Sequence, residues 1–266
     1  MKGLQTLPNA VEEYLGKDRV RLGHSLVSLD REEGPNGMFV AVFDTEQGKR
    51  TIKARSVSLT SPTRVTTNVA RKLVPEVEEL DKVYSPPVAS VTLAYKKSSF
   101  KELPGGTSGS PLRGFGHLLP RKMGIRSLGT IWSSSLFPGR APKDWEVLLT
   151  YIGGARDKGI SDMEPSEIVD QVKKDVSTVL LKDGVDSGDI KVLGIRVWDY
   201  AIPQYNRGHY DILEKVTRGE NRVKGLFLGG NYRTGVAFGD CVQFGLDEAK
   251  KVSNWLKESK KVTVEA

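Results

Sequence analysis

The chain predicts an α+β fold, and three observations lead there. Leu226, Phe227 and Leu228 form a short apolar strand that stops at Gly229 and Gly230, after which Phe238, Val242, Ala249, Val252 and Leu256 recur at helical spacing. Upstream, short apolar stretches punctuated by turn residues read as a meander and an antiparallel sheet. Finally, no G-x-G-x-x-G spacing occurs among the 28 glycines, so the sequence holds no dinucleotide-binding βαβ fingerprint.

Residues 6–15 predict a helix that starts at Thr6 as N-cap, carries Pro8 in its first turn and ends near Gly16. Alternation over 19–30 predicts a strand, followed by a turn at 33–37, a second strand at 38–44 and a third at 50–60. Residues 65–80 are helical in character with a break at Pro75, and a strand around Val91 follows Pro86 and Pro87. After a loop at 101–114, strands at 114–119, 127–135 and 146–153 predict an antiparallel sheet with it, a floor suited to a large flat ligand. Residues 164–181 form an amphipathic helix with Ile168, Val172, Val176, Val179 and Leu180 on one face. A strand at 190–198 returns toward the amino-terminal segments, and a helix spans 208–220, which His209 caps or anchors. Segments up to about 61 and after about 191 are thus expected to come together, with the residues between them forming a separate unit.

At 266 residues and 38% apolar, the chain supports a sizeable core in one or two domains. Its net charge of +7 is spread among 33 acidic residues, which reads as a solvated surface and not as a nucleic-acid footprint. The single Cys241 excludes an intramolecular disulfide, and His24, His117 and His209 stand in no metal-binding spacing, so no metal is expected. No apolar run approaches 18 residues, and residues 1–5 show neither a signal-peptide core nor transit-peptide character. The chemistry concentrates on residues 229–238. A helix opening after a glycine loop presents unpaired N–H groups and a positive dipole end, favouring an anion or an electron-rich ring oxygen, although the same pattern also serves as a plain structural turn.

Residue identity narrows this. LFLGGNYRTGVAFGDCV at 226–242 resembles the carboxy-terminal flavin-binding segment of protoporphyrinogen oxidases, within the flavin monoamine-oxidase-like group. GLQTLPNAV at 3–11, GTIWSSSLFPGRAP at 129–142, YIGGA at 151–155 and RVWDYAIPQYNRGH at 196–209 resemble the same family in the same order. The form with LFLGGN is most similar to the plastid type.

The resemblance implies the carboxy-terminal portion of a two-domain FAD-dependent oxidase, with FAD-domain segments at 1–62 and 191–266 and a substrate domain at 63–190. It implies FAD as cofactor, contacted by Val27 through its backbone and by Trp198, Asn231, Val236, Ala237 and Phe238. Leu118 and Phe137 would meet the substrate, protoporphyrinogen IX, which is oxidised to protoporphyrin IX with molecular oxygen as acceptor in haem and chlorophyll biosynthesis. Arg140 is a further candidate for a propionate, set against an ordinary solvated arginine. No catalytic side chain is implied, because the hard chemistry belongs to the cofactor. A chloroplast location, membrane association through a part not in this sequence and a homodimer are also implied. With no G-x-G-x-x-G segment, the chain by itself is expected to be inactive. Other readings are a non-catalytic tetrapyrrole- or partner-binding remnant and another flavin amine oxidase.

Overall fold

The computed structural model describes residues 3–34, 37–107 and 109–264. Two compact units emerge: one runs through Tyr84 and resumes at Pro203, and the other is inserted as Ser85–Ile202. These units divide at 84/85 and 202/203, two helices beyond the expected 62/63 and one strand beyond the expected 190/191.

The discontinuous unit opens with α1 (Thr6–Leu15), whose N-cap is Gln5 and not Thr6. The backbone then turns at Gly16, whose carbonyl accepts from Arg19 and Val20 N–H, so the alternating stretch at 19–30 becomes a strand only from Ser25. Strands β1 (Ser25–Arg31), β2 (Phe39–Thr45) and β3 (Gly48–Ala54) form an antiparallel meander. The expected turn at 33–37 includes Pro35 and Asn36, which lie outside the described residues. The single strand expected at 50–60 is two strands, because β4 (Val57–Leu59) leaves the meander to pair in parallel with β10 (Leu226–Leu228). Next come α2 (Thr63–Ala70) and a 3-10 helix at Pro75–Lys82, tied by the Thr67 hydroxyl donating to the Val77 carbonyl. Val69, Val74, Val77 and Leu80 share one core with Leu29, Phe39, Leu59, Leu226 and Leu228, which is why 63–82 belongs to this unit.

In the inserted unit, β5 (Val88–Lys96), β6 (Gly116–Leu118), β7 (Ser127–Trp132), β8 (Trp145–Gly153) and β9 (Ile190–Trp198) make one antiparallel sheet in the order β6-β7-β8-β5-β9. β7 is shorter than expected, since Ser133–Leu136 coils into the single-turn α3. β9 does not return to the amino-terminal segments as expected; it pairs with β5 inside this sheet. Helix α4 (Pro165–Leu180) starts at a capping box between Glu164 and Glu167 and lays Ile168, Val172, Val176 and Leu180 against Ala89, Val91, Leu93, Leu148 and Ile152. Between helix and sheet, the buried Asp175 carboxylate accepts from Ser127 N–H (2.7 Å), Ser127 Oγ (2.6 Å) and Gln171 Nε2 (2.8 Å), so its charge is compensated.

The chain then completes the first unit with α5 (His209–Arg222), β10, the short α6 (Asn231–Thr234) and the long α7 (Phe238–Val264). α7 runs back along β10. A Cβ on Gly225 would lie 2.8 Å from Trp255, and one on Gly229 would strike the Phe244 ring, so these glycines flank β10 to let two aromatic side chains of α7 settle on it. The expected helix face holds only in its second half: Val252 and Leu256 are half-buried as expected and Phe244, Glu248 and Trp255 turn inward with them, while Phe238, Val242 and Ala249 are exposed. Glu248 is only 6% exposed and accepts from the Ser58 hydroxyl at 3.3 Å. Two parallel strands are too narrow a platform to cover the whole apolar stripe of a helix this long.

Candidate functional site

The loop between β10 and α7 is held by three attachments from α5 and the segment before it. Glu220 accepts from Leu228 N–H (2.9 Å) and from Arg233 Nη2 (2.6 Å), and Arg233 Nη1 donates to Thr217 (3.0 Å). Burial raises the Glu220 carboxyl above the usual carboxylate range, and the adjacent Arg233 guanidinium opposes that rise. The second attachment is His209, whose ring is buried and whose Nε2 donates to the Tyr232 carbonyl at 2.8 Å; a carbonyl only accepts, so this nitrogen carries the proton. His209 is thus the anchor that the sequence suggests.

The third attachment is Tyr205, stacked on His209 with ring centroids 4.4 Å apart. Its hydroxyl donates to the Asn231 carbonyl, and the Gly235 N–H bears on the same phenolic oxygen, so one side chain closes both ends of α6. Burial raises its pKa, with the Gly235 amide opposing. Nothing in the period or spacing of the sequence marks Tyr205 for this role, because the contact joins residues 26 apart. Tyr205→Phe keeps the stacked ring but removes the bridge. Faster amide hydrogen exchange confined to residues 229–238 is the expected result, read by peptide mass spectrometry, and unchanged exchange there would contradict the staple.

Beyond Gly235, Val236, Ala237 and Phe238 stand exposed at the start of α7, Phe238 at 45%. Asn231 opens α6 and is partly buried. Asp240 already occupies one helix-start donor, accepting from Ala237 N–H at 3.3 Å. Val27 lies in the same unit at a β-bulge: Leu26 and Ser28 pair with Phe43 and Val42, leaving Val27 as the extra residue, 46% exposed. Its position suits a backbone contact, since a bulged residue is left out of the ladder. Trp198, Leu118 and Phe137 belong to the inserted unit. Leu118 is 87% exposed, and Phe137 lies beneath the Arg140 guanidinium at 4.5 Å from its ring centroid. Among the described residues no His, Cys, Asp and Glu group suited to a metal is found, and no helix is long and apolar enough to cross a membrane.

A strapped helix start and a bulged strand in one unit and an antiparallel sheet in the other agree with the fold of flavin amine oxidases. The flavin-containing amine oxidoreductase family matches residues 1–253, and the chain belongs to that family. It is 40% identical over 260 residues to the chloroplastic protoporphyrinogen oxidase of Nicotiana tabacum, covering 96% of this chain and 46% of that protein. Similarity to the chloroplastic protein of the same name from Oryza sativa subsp. japonica is also 40% over 260 residues, with 96% and 47% covered. Among solved structures, the provisionally named protoporphyrinogen oxidase from Exiguobacterium sp. 255-15 superposes with a TM-score of 0.68 at 20% identity, over 99% of this chain and 51% of that one. A triple mutant of putrescine oxidase gives 0.61 at 11% identity, over 94% and 52%. These superpositions show the fold, and the chain spans about half the length of the curated relatives it matches.

Proposed function

We propose that this chain supplies the carboxy-terminal flavin contacts and the tetrapyrrole-binding sheet of a protoporphyrinogen oxidase. The observation that carries the reading is the strapped loop at 229–238, whose attachments to Glu220, His209 and Tyr205 hold exposed amides at a helix start. Identity of 40% with plant protoporphyrinogen oxidases supports the substrate class, and the chloroplastic names of those relatives support a plastid location.

In this reading the discontinuous unit holds FAD and the inserted unit holds the substrate. A bound FAD would supply the redox chemistry, hydride acceptance from protoporphyrinogen IX and electron transfer to oxygen. Val236 and Phe238 N–H groups would favour negative charge on a bound flavin ring, and Asn231 and Ala237 would shape its edge. Val27 meets the adenine through the backbone freed by its bulge. Leu118 and Phe137 meet the tetrapyrrole with apolar surface.

The test is Gly235→Val. Gly235 has φ +140, and a Cβ there would lie 2.6 Å from Asp240 Cγ, so valine strains the turn and displaces the helix start. Gly245→Ala, where a Cβ meets nothing within 4 Å, is the fold control. With each variant assembled with the amino-terminal half of a plant relative, flavin absorbance per folded protein is expected to fall sharply for Gly235→Val and to hold for Gly245→Ala. A Gly235→Val protein that folds and retains flavin would remove 229–238 from the cofactor site.

A further inference from the structure

The face of the inserted sheet turned away from α4 has a composition the sequence does not reveal. Directly paired residues of antiparallel strands point to the same face. Val91 pairs with Thr150 and Ile195 and packs toward α4, so the neighbouring row points the other way. That row reads Leu118, Gly129, Tyr151, Ser90 and Arg196 across β6, β7, β8, β5 and β9. The next row on the same face is Gly116, Ile131, Leu149, Thr92 and Gly194, and Trp198 follows Arg196 two residues on. Tyr151 and Leu149 of β8 stand at the centre of this face, with the smaller Ser90 and Thr92 of β5 between them and β9. Arg196 is the only charged residue in the two rows. Its side chain is exposed and makes no hydrogen bond or ion pair among the described residues.

We propose that Arg196 is the carboxylate anchor of this face, receiving a propionate of a tetrapyrrole whose apolar macrocycle lies over Ser90 and Tyr151 toward Leu118, whose side chain covers Gly129. The proposal rests on the tetrapyrrole reading above and adds the residue that orients the ligand. Four strand spacings of roughly 4.8 Å separate Leu118 from Arg196, giving about 19 Å for a macrocycle with an extended acid arm. An anion is favoured at one end only, because the two rows hold no carboxylate and no second cation. A guanidinium presents a planar fork that fits a carboxylate through two N–H groups, which an ammonium does not reproduce. Trp198 beside it is 41% exposed, so a large ring seated here would quench its fluorescence.

The experiment titrates the 266-residue chain with protoporphyrin IX and with its dimethyl ester, following tryptophan quenching and the porphyrin absorption band. The parent is expected to bind the diacid about ten- to a hundredfold more tightly than the diester, the increment of one charge-assisted pair. Arg196→Gln should abolish that increment while leaving diester binding unchanged, and Arg196→Lys should restore only part of it. If the parent prefers the diacid and Arg196→Gln keeps the preference, the tetrapyrrole reading stands and the anchor is wrong. The anchor is equally wrong if Arg140→Gln removes the increment instead. A parent that binds neither porphyrin overturns the anchor and the tetrapyrrole reading together.

Discussion

Supplied with FAD and protoporphyrinogen IX and no other polypeptide, the 266-residue chain is expected to form protoporphyrin no faster than the uncatalysed background. In the proposed reading, the groups that would reach flavin are short-range contacts at a helix start and a bulge. FAD also carries a pyrophosphate and a ribose, which a glycine-rich βαβ turn and an acidic residue ordinarily hold, and none of the 28 glycines falls in that spacing. Each missing charge-assisted hydrogen bond withholds about 1.5–3 kcal/mol, so losing two or three weakens flavin binding by roughly a hundredfold or more. Porphyrin fluorescence against a no-protein control measures the rate. Sustained turnover above that control would show that the strapped loop and the bulge suffice. Turnover restored by adding the amino-terminal half of a plant relative would agree with the expectation.

The second large effect concerns the seat of α7. Gly229→Ala places a Cβ against the end of the Phe244 ring, 2.7 Å from Cε1 and closer still to the ring tip. Gly229 has little freedom to yield, because it is buried and its N–H donates to the Leu59 carbonyl at 2.8 Å. Phe244 must therefore swing out and α7 must lift from β10. Overpacking of this kind costs about 1–3 kcal/mol, or roughly 2–12 °C in Tm for a chain of this size. Calorimetry should also show that Phe244→Leu, which shortens the obstructing side chain, recovers part of the loss in the double variant. Gly229→Ala melting with the parent would mean that α7 is not docked through Phe244.

The Gly229→Ala effect and the Gly235→Val test both turn on glycines, and these mark where sequence reasoning succeeded and stopped. Gly229 and Gly235 stand out in the sequence because a strand ends and a helix begins around them. That one accommodates an aromatic ring and the other a carboxylate from α7 depends on the helix's rotation about its axis. Of the stripe Phe238, Val242, Ala249, Val252 and Leu256, the last two are half-buried as indicated, whereas the first three are exposed and Phe244, Glu248 and Trp255 turn inward in their place. Periodicity reports which residues share a face; it does not say how wide a surface that face will meet. Here the parallel platform is two strands wide, and the helix seats its large aromatic side chains over glycines instead.

By itself the sequence determined the α+β class, the inserted antiparallel sheet, the amphipathic helix over 165–180 and the family, because hydrophobic period, turn residues and residue identity are local properties. Tertiary structure alone decided the rest. β9 joined the inserted sheet because β5 offered it a free edge, and the break at residues 55–56 sent β4 to a parallel partner almost 170 residues away. The Tyr205 staple, the Glu220–Arg233 brace and the row from Leu118 to Arg196 likewise came only with the fold. Each is a pairing between residues distant in the chain, set by strand register and helix rotation, and no local pattern encodes either.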